Sequence, residues 1–176
     1  MRLISVSGML FPDVPINFEF NPQFVPNIFL VCGMQGCGKT TFLERLMFNS
    51  TNHTLETVYK EENKGGIYLA SNMEYADHTD STLKYNWRNG KEKYQQVMSW
   101  VESIPNESLI LFDNLEDGFH PDYQFKIGID LEKRIGESQM IITTHSYKLC
   151  TTLTPAHVYE INTPLELMAM AKQKRC

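Results

Sequence analysis

Apolar and polar positions along this chain follow two periods, and the boundaries between them divide it into short strands and amphipathic helices. Leu3 to Val6 alternates, and Ile16-Asn17-Phe18-Glu19-Phe20 alternates again. With a Pro-rich stretch between them, the two segments predict an antiparallel edge hairpin. Ile28 to Val31 is an unbroken apolar run, the pattern of a strand buried on both faces. From Thr40 the apolar residues Phe42, Leu43, Leu46 and Met47 recur at helical spacing, and this helix is expected to end near Asn49.

The polar stretch from Ser50 to Gly66 contains one strand candidate, Thr57-Val58-Tyr59, and Ile67 to Ala70 predicts a further buried strand. Asn72 to Asn89 has neither period; with Tyr94 just beyond, it carries the rings of Tyr75, His78, Tyr85 and Trp87. That composition predicts a lid or interaction surface. Tyr94, Val97, Met98 and Val101 mark a helix that opens at Gly90 and stops at Ile104-Pro105. Ser108 to Asp113 is an apolar strand ending in an acid, and Pro121 opens a helix to Arg134. Two more strands, Gln139 to Thr144 and His157 to Ile161, precede a short amphipathic tail from Leu165 to Met170. Strands alternating with helices predict an α/β fold of three layers, a mostly parallel sheet with helices on both faces. The expected organisation is a single domain over 1–176 with a small lid-like insertion at about 72–104.

Within that frame, Gly33 to Thr40 reads GMQGCGKT and fits G-x-x-x-x-G-K-[ST] at every fixed position. The flanks are the predicted strand and helix, the context in which this motif cradles phosphate. Gly33, Gly36 and Gly38 allow the backbone to curl so that its N–H groups face an anion at a helix N-terminus. Met34, Gln35 and Cys37 complete the loop, and Thr41 follows it. Lys39 is placed to reach the β- and γ-phosphates, and Thr40 to offer its hydroxyl to Mg²⁺. The expected fold is therefore that of a P-loop NTPase, with ATP and Mg²⁺ as ligands.

Composition narrows the setting. A net charge of −5 argues against a chain-wide nucleic-acid footprint. Cys32, Cys37, Cys150 and Cys176 have no zinc-site spacing and read as unpaired thiols, which points to a reducing, cytoplasmic setting. No apolar run approaches membrane-spanning length, and Pro12, Asp13 and Pro15 interrupt any signal-like N-terminus.

A P-loop site also needs an acid beside Mg²⁺, and Leu109 to Asp113 supplies one at the end of an apolar strand. Many ATPases follow that acid with a glutamate base, whereas position 114 here is asparagine, whose amide orients water but accepts no proton at neutral pH. Glu116 is the nearest substitute.

The segment Ile110 to Pro121, ILFDNLEDGFHP, resembles the Asp-Glu-x-Glu-x-Gly-Leu-His-Pro segment of ABC-type ATPases in the OLD, RecF and SMC-like branch. QMIITTHS, Gln139 to Ser146, resembles that branch's strand ending in a switch histidine, and Arg2 to Phe20 resembles its N-terminal strands. The resemblance implies that His145 senses the γ-phosphate. It also implies a signature motif, Leu-Ser-x-Gly, that completes the ATP site of a facing protomer. In that register this chain has Trp87-Arg88-Asn89-Gly90, keeping only the glycine. Asn72 follows the strand where the family has its Q-loop glutamine, and no coiled-coil insertion separates Thr41 from Gly90.

The resulting expectation is a minimal ABC-type ATP-binding domain with slow hydrolysis. It would pair through its ATP site as a homodimer or heteromer and act on a protein effector. Small viral DNA-packaging ATPases share the phosphate loop and the strand ending in Asp, so a motor is an alternative reading. A phosphotransferase is a third, with Lys84, Arg88, Lys91 and Lys93 as the lid cations that phosphoryl transfer requires.

Overall fold

The computed structural model describes residues 4–11, 14–20, 27–48, 55–59, 65–72, 81–85, 88–153 and 157–161. The predicted hairpin is present as β1 (Ile4–Phe11) and β2 (Val14–Phe20), paired antiparallel. It stands in a sheet of its own with β4 (Leu55–Tyr59), in the order β2-β1-β4. The main sheet is parallel throughout. It comprises β3 (Ile28–Cys32), β5 (Ile67–Ser71), β6 (Thr82–Lys84), β7 (Leu109–Phe112), β8 (Gln139–Thr144) and β9 (His157–Glu160), in the order β6-β5-β7-β8-β3-β9.

Every residue of β7 and β8 is buried, which is why neither segment alternates; β8 also buries Gln139, Thr143 and Thr144. Their side chains still divide between two faces. Phe29, Val31, Leu109, Leu111 and Ile141 join a core with Phe42, Leu43 and Leu46 of α1 (Lys39–Phe48), and the small sheet adds Ile4, Val6, Ile16 and Phe20. Ile28, Leu30, Ile110, Phe112, Met140 and Ile142 face the opposite core. That core is filled by Val97, Met98 and Val101 of α2 (Gly90–Ser103), Ile127 and Leu131 of α3 (Pro121–Arg134), and Leu149 of α4 (Tyr147–Thr152). Three layers result, with the parallel sheet in the middle. Among the described residues, no helix is long and apolar enough to cross a membrane.

Two elements were not predicted. β6 is three residues long, too short to show a period, and it extends the sheet in parallel beside β5. α4 spans six residues and is capped by the Ser146 hydroxyl, which accepts from the Leu149 N–H; only Leu149 and Leu153 mark its apolar side. Within the segment expected as a lid, 72–104, several described residues pack against the body of the fold. β6 joins the sheet, Tyr85 is buried, and α2 lays Val97, Met98 and Val101 against the core. Tyr75, His78, Trp87 and the tail at 165–170 lie outside the described residues.

The loops that follow β3, β7 and β8 carry the phosphate motif, Asp113 and His145 respectively. Since β7, β8 and β3 are adjacent and parallel, all three loops emerge at the same, carboxyl edge of the sheet.

Candidate nucleotide site

The phosphate loop turns on two glycines in the left-handed region, Gly36 at φ 80° and Gly38 at φ 100°. Gly33 is needed for space: a Cβ there would stand 2.5 Å from Cys37 Sγ and 2.8 Å from the Ile161 carbonyl oxygen. Cys37 is therefore buried beneath the loop, while the Met34 side chain projects outward. Lys39 opens α1 and is 4% exposed; its Nζ donates to the carbonyls of Gly33 and Met34, at 2.9 Å each. These bonds fold the cation back over the loop, where a phosphate oxygen can replace a carbonyl.

The next side chain reaches the neighbouring acid. Thr40 Oγ1 donates to the Asp113 carboxylate, 2.9 and 3.0 Å from its two oxygens. Asp113 also accepts from Ser71 Oγ at 3.1 Å, Thr143 Oγ1 at 3.1 Å and Asn114 Nδ2 at 3.2 Å. Burial raises its pKa, and the hydroxyl bonds from Thr40, Thr143 and Ser71 oppose that rise without cancelling it. A buried carboxylate met by neutral hydroxyls and an amide is an oxygen donor set with negative charge in need of a cation. That chemistry fits Mg²⁺, which Thr40 and Asp113 would hold.

A cavity of about 520 Å³ opens above these groups. Gln35, Gly36, Gly38, Lys39, Thr40 and Thr41 line it from one side, and Asn114, Asp117 and His145 from the other. Asn114 adopts φ 45°, a conformation asparagine tolerates better than most residues, and its N–H donates to Thr143 Oγ1 at 3.0 Å. Its amide is turned toward Asp113, so it lies beside that carboxylate rather than alone in the cavity.

Glu116 does not line the cavity. It is 4% exposed, and Oε1 accepts both the His145 N–H at 2.6 Å and His145 Nδ1 at 2.8 Å. Oε2 is buried with no hydrogen-bond partner among the described residues. The carboxylate thus stands behind the histidine. In the neutral ring with Nδ1–H donated to Glu116, Nε2 would be an acceptor, and the half-exposed ring stands at the cavity wall. Asp117 lies close by, its pKa raised by burial and then by the Glu116 charge.

No family model and no curated relative matches the sequence. Solved structures do. One match is a transporter described as being of the metal-chelate ABC type, in an inward-facing conformation. It has a TM-score of 0.58 and 15% identity, over 97% of this chain and 89% of that one. Another is the ADP conformation of an ATP-binding cassette of an ABC transporter, with a TM-score of 0.59 and 11% identity, over 99% of this chain and 96% of that one. The chain has the fold of an ATP-binding cassette.

In this cassette fold, the start of α2 meets the loop after Asp113. Asn89 is the N-cap, accepting from the N–H groups of Lys91 and Glu92 at 3.1 Å, while Arg88 beside it is exposed. Gly90 allows close contact, since a Cβ would lie 3.3 Å from the Gly118 carbonyl oxygen. One turn on, Lys93 is fully buried and donates to the carbonyls of Leu115 at 2.8 Å and Asp117 at 2.5 Å. Its ammonium stands 4.0 Å from the Tyr85 ring centroid and 4.7 Å from that of Phe119. Burial lowers its pKa to about 8 against the pull of Asp117, Glu116 and Asp113.

Lys93 is therefore a pin between α2 and the 115–119 loop and not a lid cation, which removes one support of the phosphotransferase reading. The signal was present in the sequence: Lys93, Val97 and Val101 share one stripe of α2 at four-residue spacing.

Proposed function

We propose that this chain is an ABC-type ATP-binding domain that pairs through its nucleotide site and turns ATP over slowly, serving as a switch for a protein partner in the cytoplasm. The observation that carries this reading is the contact of Thr40 with Asp113 beneath a loop that already holds Lys39 in place. These groups meet at the carboxyl edge of a cassette sheet.

When bound, Mg²⁺ neutralises charge on the β- and γ-phosphates. Lys39 exchanges its loop carbonyls for phosphate oxygens, and the N–H groups of the glycine turn face the same anion. Asn114 orients water without taking its proton. His145 Nε2 is the acceptor available for that proton, and Glu116 is its positioning residue, fixing the ring and its tautomer from behind. Losing a positioned carboxylate base typically lowers a rate by ~10²–10⁴-fold, so binding persists where turnover is slow. Arg88 and the Asn89-capped start of α2 are exposed in the signature register, which supports a facing role toward the γ-phosphate of a second protomer.

Binding of a fluorescent ATP analogue with Mg²⁺ tests the reading directly. Removing a charged hydrogen-bond donor costs about 1.5–3 kcal/mol, so Lys39→Ala is expected to weaken binding by roughly 10- to 150-fold. Equal affinity in the variant would overturn the assignment.

A further inference from the structure

Four cysteines read from the sequence as isolated thiols, yet the fold brings two of them together across 118 positions. Cys32 Sγ and Cys150 Sγ stand 3.1 Å apart, both half-buried and both free thiols. Cys32 ends β3, immediately before the phosphate loop, and Cys150 sits in α4, which begins two residues after His145. We propose that Cys32 and Cys150 form a peroxide-sensitive redox pair that closes reversibly into a disulfide between the phosphate-loop strand and α4.

The two thiols are unequal. The hydrogen bond between them pushes Cys150 down and Cys32 up, which favours Cys150 as the attacking sulfur. Burial and the Glu116 charge push both upward, which limits the thiolate without moving it to Cys32. A half-buried thiol that gives up its proton more readily, 3.1 Å from a second thiol able to resolve it, is the arrangement that reacts with small peroxides.

In the first step Cys150 Sγ attacks hydrogen peroxide. An S–O bond forms, the O–O bond breaks, and hydroxide leaves and is protonated to water, so that sulfur is oxidised to a sulfenic acid and the peroxide is reduced. In the second step Cys32 Sγ attacks that sulfur. The S–S bond forms, the S–O bond breaks, and hydroxide leaves with the Cys32 proton as a second water. Two thiols and one hydrogen peroxide thus give one disulfide and two waters, and a dithiol such as dithiothreitol reverses the change. The bond would tie the residue before Gly33 to the helix after His145, joining the two walls of the nucleotide cavity. Its formation requires no bound nucleotide, so it stands or falls apart from the ATP reading.

The test is intact mass spectrometry of the reduced full chain after hydrogen peroxide treatment, with a peptide map under non-reducing conditions. The expected result is the loss of two hydrogens, restored by dithiothreitol, in a link between the Cys32 and Cys150 peptides. Cys32→Ser is expected to stop at a singly oxygenated Cys150 that a sulfenic acid trap captures, and Cys150→Ser is expected to form no link. Cys32→Ala repeats the first variant should the serine fail to fold. Oxygen addition to Cys150 of the native chain without mass loss, or a link that runs through Cys37 instead, would overturn the proposal.

Discussion

Asp113 stands against the Thr40 hydroxyl at the end of β7, and its environment yields a test of the proposed metal role. Its pKa is raised in the fold, chiefly by burial, so its ionised form costs stability above that raised value. The cost fades as pH falls through it. Asp113→Asn is therefore expected to raise the melting temperature of the nucleotide-free chain at neutral pH, with the gain shrinking on acidification, while abolishing Mg²⁺-dependent ATP binding. A variant that melts lower and binds as before would contradict the role. Glu116 and Asn114 divide a second prediction. Glu116→Gln keeps a partner for His145 Nδ1 but removes the charge, so turnover is expected to fall with ATP affinity unchanged. Asn114→Glu is expected to raise turnover several-fold, read as steady-state phosphate release. An unchanged rate in the latter would remove the missing-base account. The placement of the phosphate loop, Asp113 and His145 at strand ends was legible in the sequence because each follows a strand pattern. The burial of Glu116 behind His145 was not, since it depends on where two loops cross.

Among the elements, α2 is the one whose role changed most. Read as a helix flanked by basic residues, it carries a buried lysine that holds the 115–119 loop by two carbonyls. Lys93→Met orphans both, at a cost of about 2–3 kcal/mol. The pH dependence has a definite sign. The folded pKa of Lys93 is about 8 against an ordinary 10.5, so below about 8 the native state bears the whole cost of the buried cation. Between those values the unfolded chain holds more protons, and native stability rises relative to Lys93→Met. Denaturant midpoints of both chains, measured on either side of that lower value, check the sign; a gap that narrows with rising pH would contradict it. The long apolar runs of β3, β7 and β8 were legible because a sheet buried on both faces leaves no other composition. β6 and α4 were not, because three and six residues hold too little periodicity and their positions follow from neighbours distant in sequence.

At the scale of the whole molecule, the site lies on one edge of the parallel sheet, and Arg88 and Asn89 at the start of α2 are exposed. The three-layer order followed from the alternation of strand and helix patterns. The assignment of the N-terminal hairpin to a separate sheet did not, since its third strand, β4, lies in a polar region with weak strand character. As proposed, the chain is half of an ATP sandwich, with the site of one copy completed by the Arg88 to Gly90 register of another or of a related subunit. Light scattering of the purified chain without nucleotide, with Mg-ADP and with Mg-ATP is the most direct test. The predicted result is a doubled mass with Mg-ATP alone, lost in Lys39→Ala. A single unchanged mass in all three states would contradict self-pairing through the ATP site.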